Sequence, residues 1–313
     1  IIGIVMSNAF IPRPGFRIGL EFTQKYILKF GIICLGIRLS FEEFIKFGVI
    51  AIPLIIICII TVLLTIKILI KKFQISSKMS YLIAIGTSVC GATAIVATAP
   101  IINAKKSEVT YAIANITLFG VFSMLVYPYF ANIYFQGDSL FAGLFLGTAI
   151  HETSQVAAAG LIYDQQFNSP ETLNIATVTK LIRNTFLVVM IPLFGFLYNR
   201  GNKDSAKVKI LSIFPYFVLG FIGMICVRNA GDQIFQLNPN YNIEHWNTFI
   251  DYTKNAAKIS LTMAMAAVGM STNLAELKSM GYKPFLVGLI AAVTVGLVSI
   301  VTMQSFSKIT SLL

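Results

Sequence analysis

Uncharged apolar runs of about twenty residues recur along this chain, for example Phe47–Ile66, Val109–Phe135 and Phe285–Phe306. At ~1.5 Å of rise per helical residue, each is long enough to cross the ~30 Å hydrocarbon core of a bilayer. The runs therefore predict an all-α, polytopic membrane protein. Composition agrees: 56% of the 313 residues are hydrophobic and 12% are charged, against roughly 25% charged in soluble domains. A net charge of +11 would suit a nucleic-acid binder. The Lys and Arg residues, however, lie in short connections beside apolar spans, not on a basic face with stacking aromatics, so no nucleic-acid partner is expected. The partner these features predict is the lipid bilayer, and the charges serve orientation.

Ten hydrophobic elements follow from apolar runs and breakers: Ile1–Phe10, Tyr26–Leu39, Phe47–Ile66, Met79–Asn103, Val109–Phe135, Ser139–Tyr163, Leu173–Tyr198, Ile210–Val227, Ile259–Leu274 and Phe285–Phe306. The first opens inside an apolar stretch without a charged leader, so it reads as part of a helix with more chain before it, and not as a signal peptide. Basic residues cluster at Lys67, Lys71, Lys72 and Lys78, at Arg200, Lys203, Lys207 and Lys209, and at Lys278 and Lys283. The positive-inside rule makes those connections cytoplasmic. No Lys or Arg lies between Lys106 and Lys180, or from Asn229 to Thr253, while Asp138, Asp164, Glu171, Asp232, Glu244 and Asp251 do. Those stretches read as external. If the fourth and sixth elements crossed fully, Lys105 and Lys106 would lie outside and Asp138 inside. Re-entrant hairpins reverse both placements, so charge favours re-entry. Irregular backbone at membrane depth survives only where protein or a water-filled cavity surrounds it, which makes a broken element a pointer to function.

Two pairs of segments resemble each other internally. Gly86-Thr-Ser-Val-Cys-Gly-Ala-Thr93 aligns without a gap on Gly147-Thr-Ala-Ile-His-Glu-Thr-Ser154, and Gly36–Phe44 with Gly48 parallels Gly269–Leu277 with Gly281. Re-entry gives both pairs one consistent inverted symmetry. The domain expectation is thus a single transmembrane unit over 1–313, with pseudo-repeats 1–135 and 136–313. Paired short segments interrupted by glycine mark a transporter's substrate site at the repeat interface.

Within the membrane the ionisable residues are His151, Glu152, Lys180 and Arg183. A centrally placed charge costs roughly 2.5–3.5 kcal/mol on the insertion scale, so Glu152, Lys180 and Arg183 must be paired or hydrated. Lys180 and Arg183, three apart, share a helix face. Glu152 is expected to pair with one of them, leaving a positive remainder that helix amino termini at the breaks would reinforce. The predicted substrate is a small anion. Its candidate contacts are the hydroxyls of Thr87, Ser88, Thr148 and Ser154, close backbone approach at Gly86, Gly91 and Gly147, and the side chains of Cys90, His151, Glu152, Gln155, Lys180 and Arg183. The bland alternatives are a structural ion network for the charged trio, helix packing for the glycines, and interhelical hydrogen bonds for Asn115, Asn184 and Gln155. Glu42, Glu43, Glu108 and Glu276 sit at helix ends and read as solvated. Cys34, Cys58, Cys90 and Cys226 show no paired spacing and read as structural thiols, so no metal and no cofactor is expected. His151-Glu152 fails the zincin pattern, because position 155 is Gln, and no Walker loop or nucleophile elbow is present. The chain is not expected to be an enzyme.

At these same residues, the segments Gly86–Ala92, Gly147–Glu152 with Gln155-Val156, Lys180-Leu-Ile-Arg183 and Leu35–Leu39, the chain resembles the YeiH family of bacterial inner-membrane proteins described as sulfate exporters. The similarity runs over nearly the whole chain, with Ala149 standing where the family is expected to carry Ser. The resemblance implies a multi-pass plasma-membrane protein that exports sulfate, and sulfate or a sulfonate is the leading candidate for the anion. Read from the residues, the chain is a secondary transporter of a small anion, with a cation-coupled organic-acid importer or an anion channel as alternatives. H+ or Na+ is the candidate coupling ion, and a homo-oligomer is compatible with this reading.

Overall fold

The structure, a computed structural model, describes residues 14–73, 76–198, 214–237, 243–271 and 282–310. The first hydrophobic element, the basic cluster Arg200–Lys209, Lys278, Glu276 and the segment 272–281 of the second repeat pair lie outside the described residues. Helix dominates, and no strand occurs among the described residues. In chain order the helices are α1 Pro14–Phe22, a π turn Thr23–Ile27, α2 Leu28–Leu35, a 3-10 turn Gly36–Arg38, α3 Phe41–Phe73, α4 Ser77–Ile85, a second π turn Gly86–Cys90 and α5 Gly91–Thr98. There follow α6 Lys106–Tyr134, α7 Ser139–Ala149, α8 Thr153–Phe167, α9 Pro170–Thr185, α10 Leu187–Tyr198, α11 Phe217–Leu237, α12 Ile243–Met270 and α13 Tyr282–Thr310. Among the described residues, five stretches are long and apolar enough to cross a membrane: Phe41–Phe73, Ser77–Thr98, Lys106–Tyr134, Pro170–Phe194 and Tyr282–Ser305.

The chain divides into two compact units, Ile1–Val49 with Pro215–Asn273, and Ile50–Phe214 with Leu274–Leu313. Each therefore draws on both sides of the expected repeat boundary at 135/136. The first unit is built on close helix packing: a Cβ on Gly31 would come within 2.9 Å of the Ser260 Cβ on α12. At its polar end Trp246 stacks on Phe235 at 5.5 Å and donates to Asp232 Oδ1 at 2.8 Å. Arg228 Nε donates to the other Asp232 oxygen at 2.6 Å, and its Nη1 donates to the Ile37 carbonyl at 3.2 Å. These contacts explain why α11 and α12 run well past the apolar windows Ile210–Val227 and Ile259–Leu274. Asp232, Glu244 and Asp251 are helical residues and not part of a loose connection.

The second unit is organised around α6, whose 29 residues span ~43 Å. At its start, Ser76 donates to Glu108 and Lys78 Nζ donates to the Asn103 carbonyl at 2.6 Å. The two ends of the α4–α5 element thus meet, and despite a length that could cross, it turns back. Near the far end of α6, Ser139 and Ser169 hydroxyls pair at 2.9 Å, and the Tyr163 hydroxyl donates to Asn132 Oδ1 at 3.2 Å. The α7–α8 element therefore also returns to its own base. Both are hairpins, entered from opposite ends of α6. Halfway along α6, Gln155 Nε2 donates to the Thr117 carbonyl at 3.4 Å, and Gly86 lies against Ile116. Both hairpin tips therefore reach the middle of one membrane-spanning helix.

Local chemistry sets the ends of these elements. Asp138 caps α7 by accepting from the Phe141 N–H at 2.9 Å, and Asn168, left-handed at φ 53°, stops α8 two residues before Pro170 opens α9. Glu108 is a correction to the sequence reading. It is 8% exposed, and it caps the Lys105 N–H at 2.8 Å. The seventh element is interrupted at Phe186, between α9 and α10. Cys34, Cys58 and Cys90 are buried free thiols, and Cys226 is an exposed one.

Candidate functional site

A helix leaves its last carbonyls and its first N–H groups without intrahelical partners. Each hairpin tip contains both kinds of end within a few residues. In the first tip the π turn runs out at Cys90, whose backbone is extended (φ −149°, ψ 94°), and α5 begins at once. In the second, α7 stops at Ala149, Ile150 and Glu152 are extended (ψ 141° and 145°), and α8 starts at Thr153. Two sets of orphan carbonyls and two sets of orphan N–H groups thus converge at mid-depth.

The carbonyls are taken by α9. Lys180 Nζ donates to Val89 O at 3.2 Å, to Ile150 O at 3.0 Å and to His151 O. Arg183 donates from Nε to Ser88 O at 2.9 Å, from Nη1 to Thr148 O at 2.6 Å and Ile150 O at 3.2 Å, and from Nη2 to Thr87 O. Both side chains are 0% exposed. α9 begins at the base of the second hairpin, so these residues, ~15–20 Å along it, arrive level with the tips. Three of the N–H groups find partners here, two of them across the junction. Gly91 N–H donates to His151 O at 3.3 Å, Ala92 N–H to the Glu152 carboxylate, and Glu152 N–H to Gln155 Oε1 at 3.2 Å.

This arrangement revises the roles read from sequence. Among the described residues Glu152 forms no ion pair with Lys180 or Arg183; the described pairs are Arg228–Asp232 and Lys254–Asp251. Glu152 instead caps the amino end of α5, which places a carboxylate at the positive pole of that helix. Lys180 and Arg183 meet backbone oxygens, which leaves no free donor on the lysine for direct capture of an anion. The Ser88 hydroxyl donates to Ala84 O at 2.6 Å, and the Thr148 hydroxyl to Leu144 O at 2.7 Å with a further partner in Ser299. Neither hydroxyl faces the junction as an open donor. Gly86 packs against Ile116 and Ile95, and a Cβ on Gly147 would lie 2.6 Å from that of Thr179, so both serve helix packing. Gly91 is different: a Cβ there would fall on the Glu152 carboxylate, so the contact between the two tips requires glycine.

Several polar groups at the junction keep unused capacity. His151 is 1% exposed and its Nδ1 has no partner, and the same holds for Asn184 Oδ1 and Thr179 Oγ1. Asn184 Nδ2 donates to Thr153 Oγ1 at 2.9 Å, and that hydroxyl lies 4.0 Å from Cys90 Sγ. Asn115 donates to Pro284 O at 3.0 Å, as an interhelical bond. Thr87 sits in the tip, 1% exposed, and contributes its carbonyl. Ala92, Glu152, Thr153 and Ser154 are half-buried and Thr93 is exposed, which gives the junction one open polar face. Thr153 and Ser299 were not singled out by sequence reasoning. Thr153 stands in the aligned repeat segment, where it could have been noticed, whereas nothing local distinguishes Ser299.

Comparison with known proteins shows the family of the chain. The family described as conserved hypothetical protein 698 matches residues 1–288. A UPF0324 membrane protein of Fusobacterium nucleatum is 36% identical over 307 residues, covering 96% of this chain and 87% of the relative. One from Streptococcus agalactiae is 34% identical, covering 97% and 88%, and one from Clostridium tetani is 30% identical over 323 residues, covering 99% and 88%. No solved structure matches. With a match over most of its length and relatives above 30% identity, the chain belongs to the UPF0324 family of multi-pass membrane proteins, which the YeiH label also fits.

Proposed function

We propose that the chain is a secondary transporter of the bacterial inner membrane, not an enzyme, and that it moves a small anion, with sulfate or a sulfonate as the leading substrate. One observation carries the reading. Two fully buried cations, Lys180 and Arg183, stand against a single carboxylate, Glu152, where two broken hairpins meet at mid-depth. Because the cations are held by backbone oxygens, they act on the substrate through their field, which is strong where water is scarce. Direct contacts fall to the open face: the Thr153 and Ser154 hydroxyls, with the second N–H of the adjacent Asn184 amide beside them, a set of donors suited to an oxyanion. Lipid surrounds the chain, and of the two candidate coupling ions, H+ and Na+, H+ is favoured, because Lys180 and Arg183 already hold the carbonyls freed at the breaks.

Proteoliposomes loaded with unlabelled sulfate should accumulate radiolabelled sulfate by counterflow, saturably. A macroscopic sulfate current in place of counterflow would identify a channel instead, and neither activity with sulfate or sulfonates would remove the substrate assignment. Glu152→Gln refines the test, since the amide oxygen keeps the Ala92 hydrogen bond while the negative charge is lost. Sulfate should then bind more tightly and exchange more slowly, because a ligand held more firmly in one state leaves it less readily. Weaker sulfate binding in that variant would contradict the field argument.

A further inference from the structure

In broken-helix carriers, the carbonyls freed at a break are what a coupling alkali cation coordinates. Here six such carbonyls, those of Thr87, Ser88, Val89, Thr148, Ile150 and His151, already accept from Lys180 or Arg183. Lys180 is the telling member. An ammonium has three N–H donors and no acceptor, and Nζ meets three carbonyls, one from the first tip and two from the second. No carboxylate lies within ion-pair distance of it among the described residues. Its surroundings are those of a monovalent cation in a carbonyl cage, with the cation tethered to the protein by its own side chain.

We propose that Lys180 is a built-in cation filling a carbonyl-lined monovalent-cation site at the junction of the two tips. The protein therefore works without an alkali ion bound there, and truncating Lys180 opens the site to a small primary ammonium or an alkali ion. The coupling consequence rests on the reading of the chain as a carrier; the site itself does not. Charge and geometry both follow. An alkali ion beside an occupied Lys180 would meet carbonyls that already accept from Lys180 or Arg183 and would be repelled by two cations, whereas in Lys180→Ala the Val89 carbonyl loses the Lys180 donor, His151 keeps only its bond from the Gly91 N–H and Ile150 only its bond from Arg183.

The experiment measures melting temperature of the purified, detergent-solubilised chain, so it reads the site and not transport, and a failed counterflow assay would leave its result intact. Wild type and Lys180→Ala are each titrated with methylammonium, sodium and potassium chloride, against tetramethylammonium chloride at matched ionic strength, because that bulky ion has no N–H and cannot enter. Lys180→Ala should melt below wild type and be raised saturably by methylammonium or an alkali ion, by roughly 3–6 °C once the ion is a hundredfold above its dissociation constant. Wild type should melt alike in all four salts. A folded Lys180→Ala with one melting temperature in every salt overturns the proposal. So does saturable stabilisation of wild type by sodium or potassium, and that arm decides the matter even if the variant does not fold.

Discussion

Arg183 has five N–H groups in a rigid fork, and four bonds from it reach carbonyls of both tips. A lysine at that position could not reproduce the fork, and a glutamine could not reach it. Arg183→Gln should leave Thr87, Ser88 and Thr148 carbonyls without these donors, at ~1–3 kcal/mol for each buried orphan. The expected result is a loss on the order of 3 kcal/mol or more, seen as a markedly lower melting temperature in detergent. Ser88→Ala removes only a hydroxyl that back-bonds to Ala84 O within its own helix, so it should change stability by less than ~1 kcal/mol and leave anion affinity unaltered. If Arg183→Gln melted like wild type and lost only anion binding, the guanidinium would be a direct substrate ligand after all. Residue identities were legible here and partners were not. Lys180, Arg183 and Glu152 stand out in the sequence because charge is costly in lipid. Their partners are backbone atoms of elements up to 96 residues away, and a carbonyl carries no signature in the side-chain alphabet.

At the scale of elements, the hairpins were legible through charge. Lys78, Lys105 and Lys106 gather where the first hairpin begins and ends, and Asp138 and Glu171 lie at the base of the second. α6 runs from one group to the other. The expected orientation is cytoplasmic for the Lys105 end and external for the Asp138 end. Single cysteines introduced near Lys105, Asp138 and Asp164, in a chain lacking its native four, test this with an impermeant thiol reagent on intact cells. Labelling near Asp138 and Asp164 but not near Lys105 is expected, and the reverse pattern would contradict the orientation. The polar extensions of α11 and α12 were not legible, because a window of apolar residues ends where lipid contact ends. The helices continue on the Asp232, Arg228 and Trp246 contacts, of which the bond from Arg228 to the Ile37 carbonyl joins residues 191 apart in sequence.

For the whole molecule, the inverted relation of the two hairpins follows from where their bases lie along α6, and their meeting at mid-depth follows from Gly91, His151, Ala92 and Glu152. The aligned Gly86–Thr93 and Gly147–Ser154 segments made the pairing of the hairpins legible. That their tips touch was not, since similarity between two segments says nothing about distance. Seven hydrogen bonds from two residues of α9 tie both tips to one helix, so the tips should move as one body. Cys90 Sγ lies 4.0 Å from Thr153 Oγ1 across their junction, so a cysteine at 153 would stand within disulfide reach of Cys90 after a small side-chain adjustment. The decisive measurement is oxidative cross-linking of Thr153→Cys in a chain whose Cys34, Cys58 and Cys226 have been replaced by alanine. The two thiols should form an intrachain bond in high yield, protected from alkylation until reduced. Two independently reactive or persistently unbridged thiols in the folded protein would contradict the meeting of the tips.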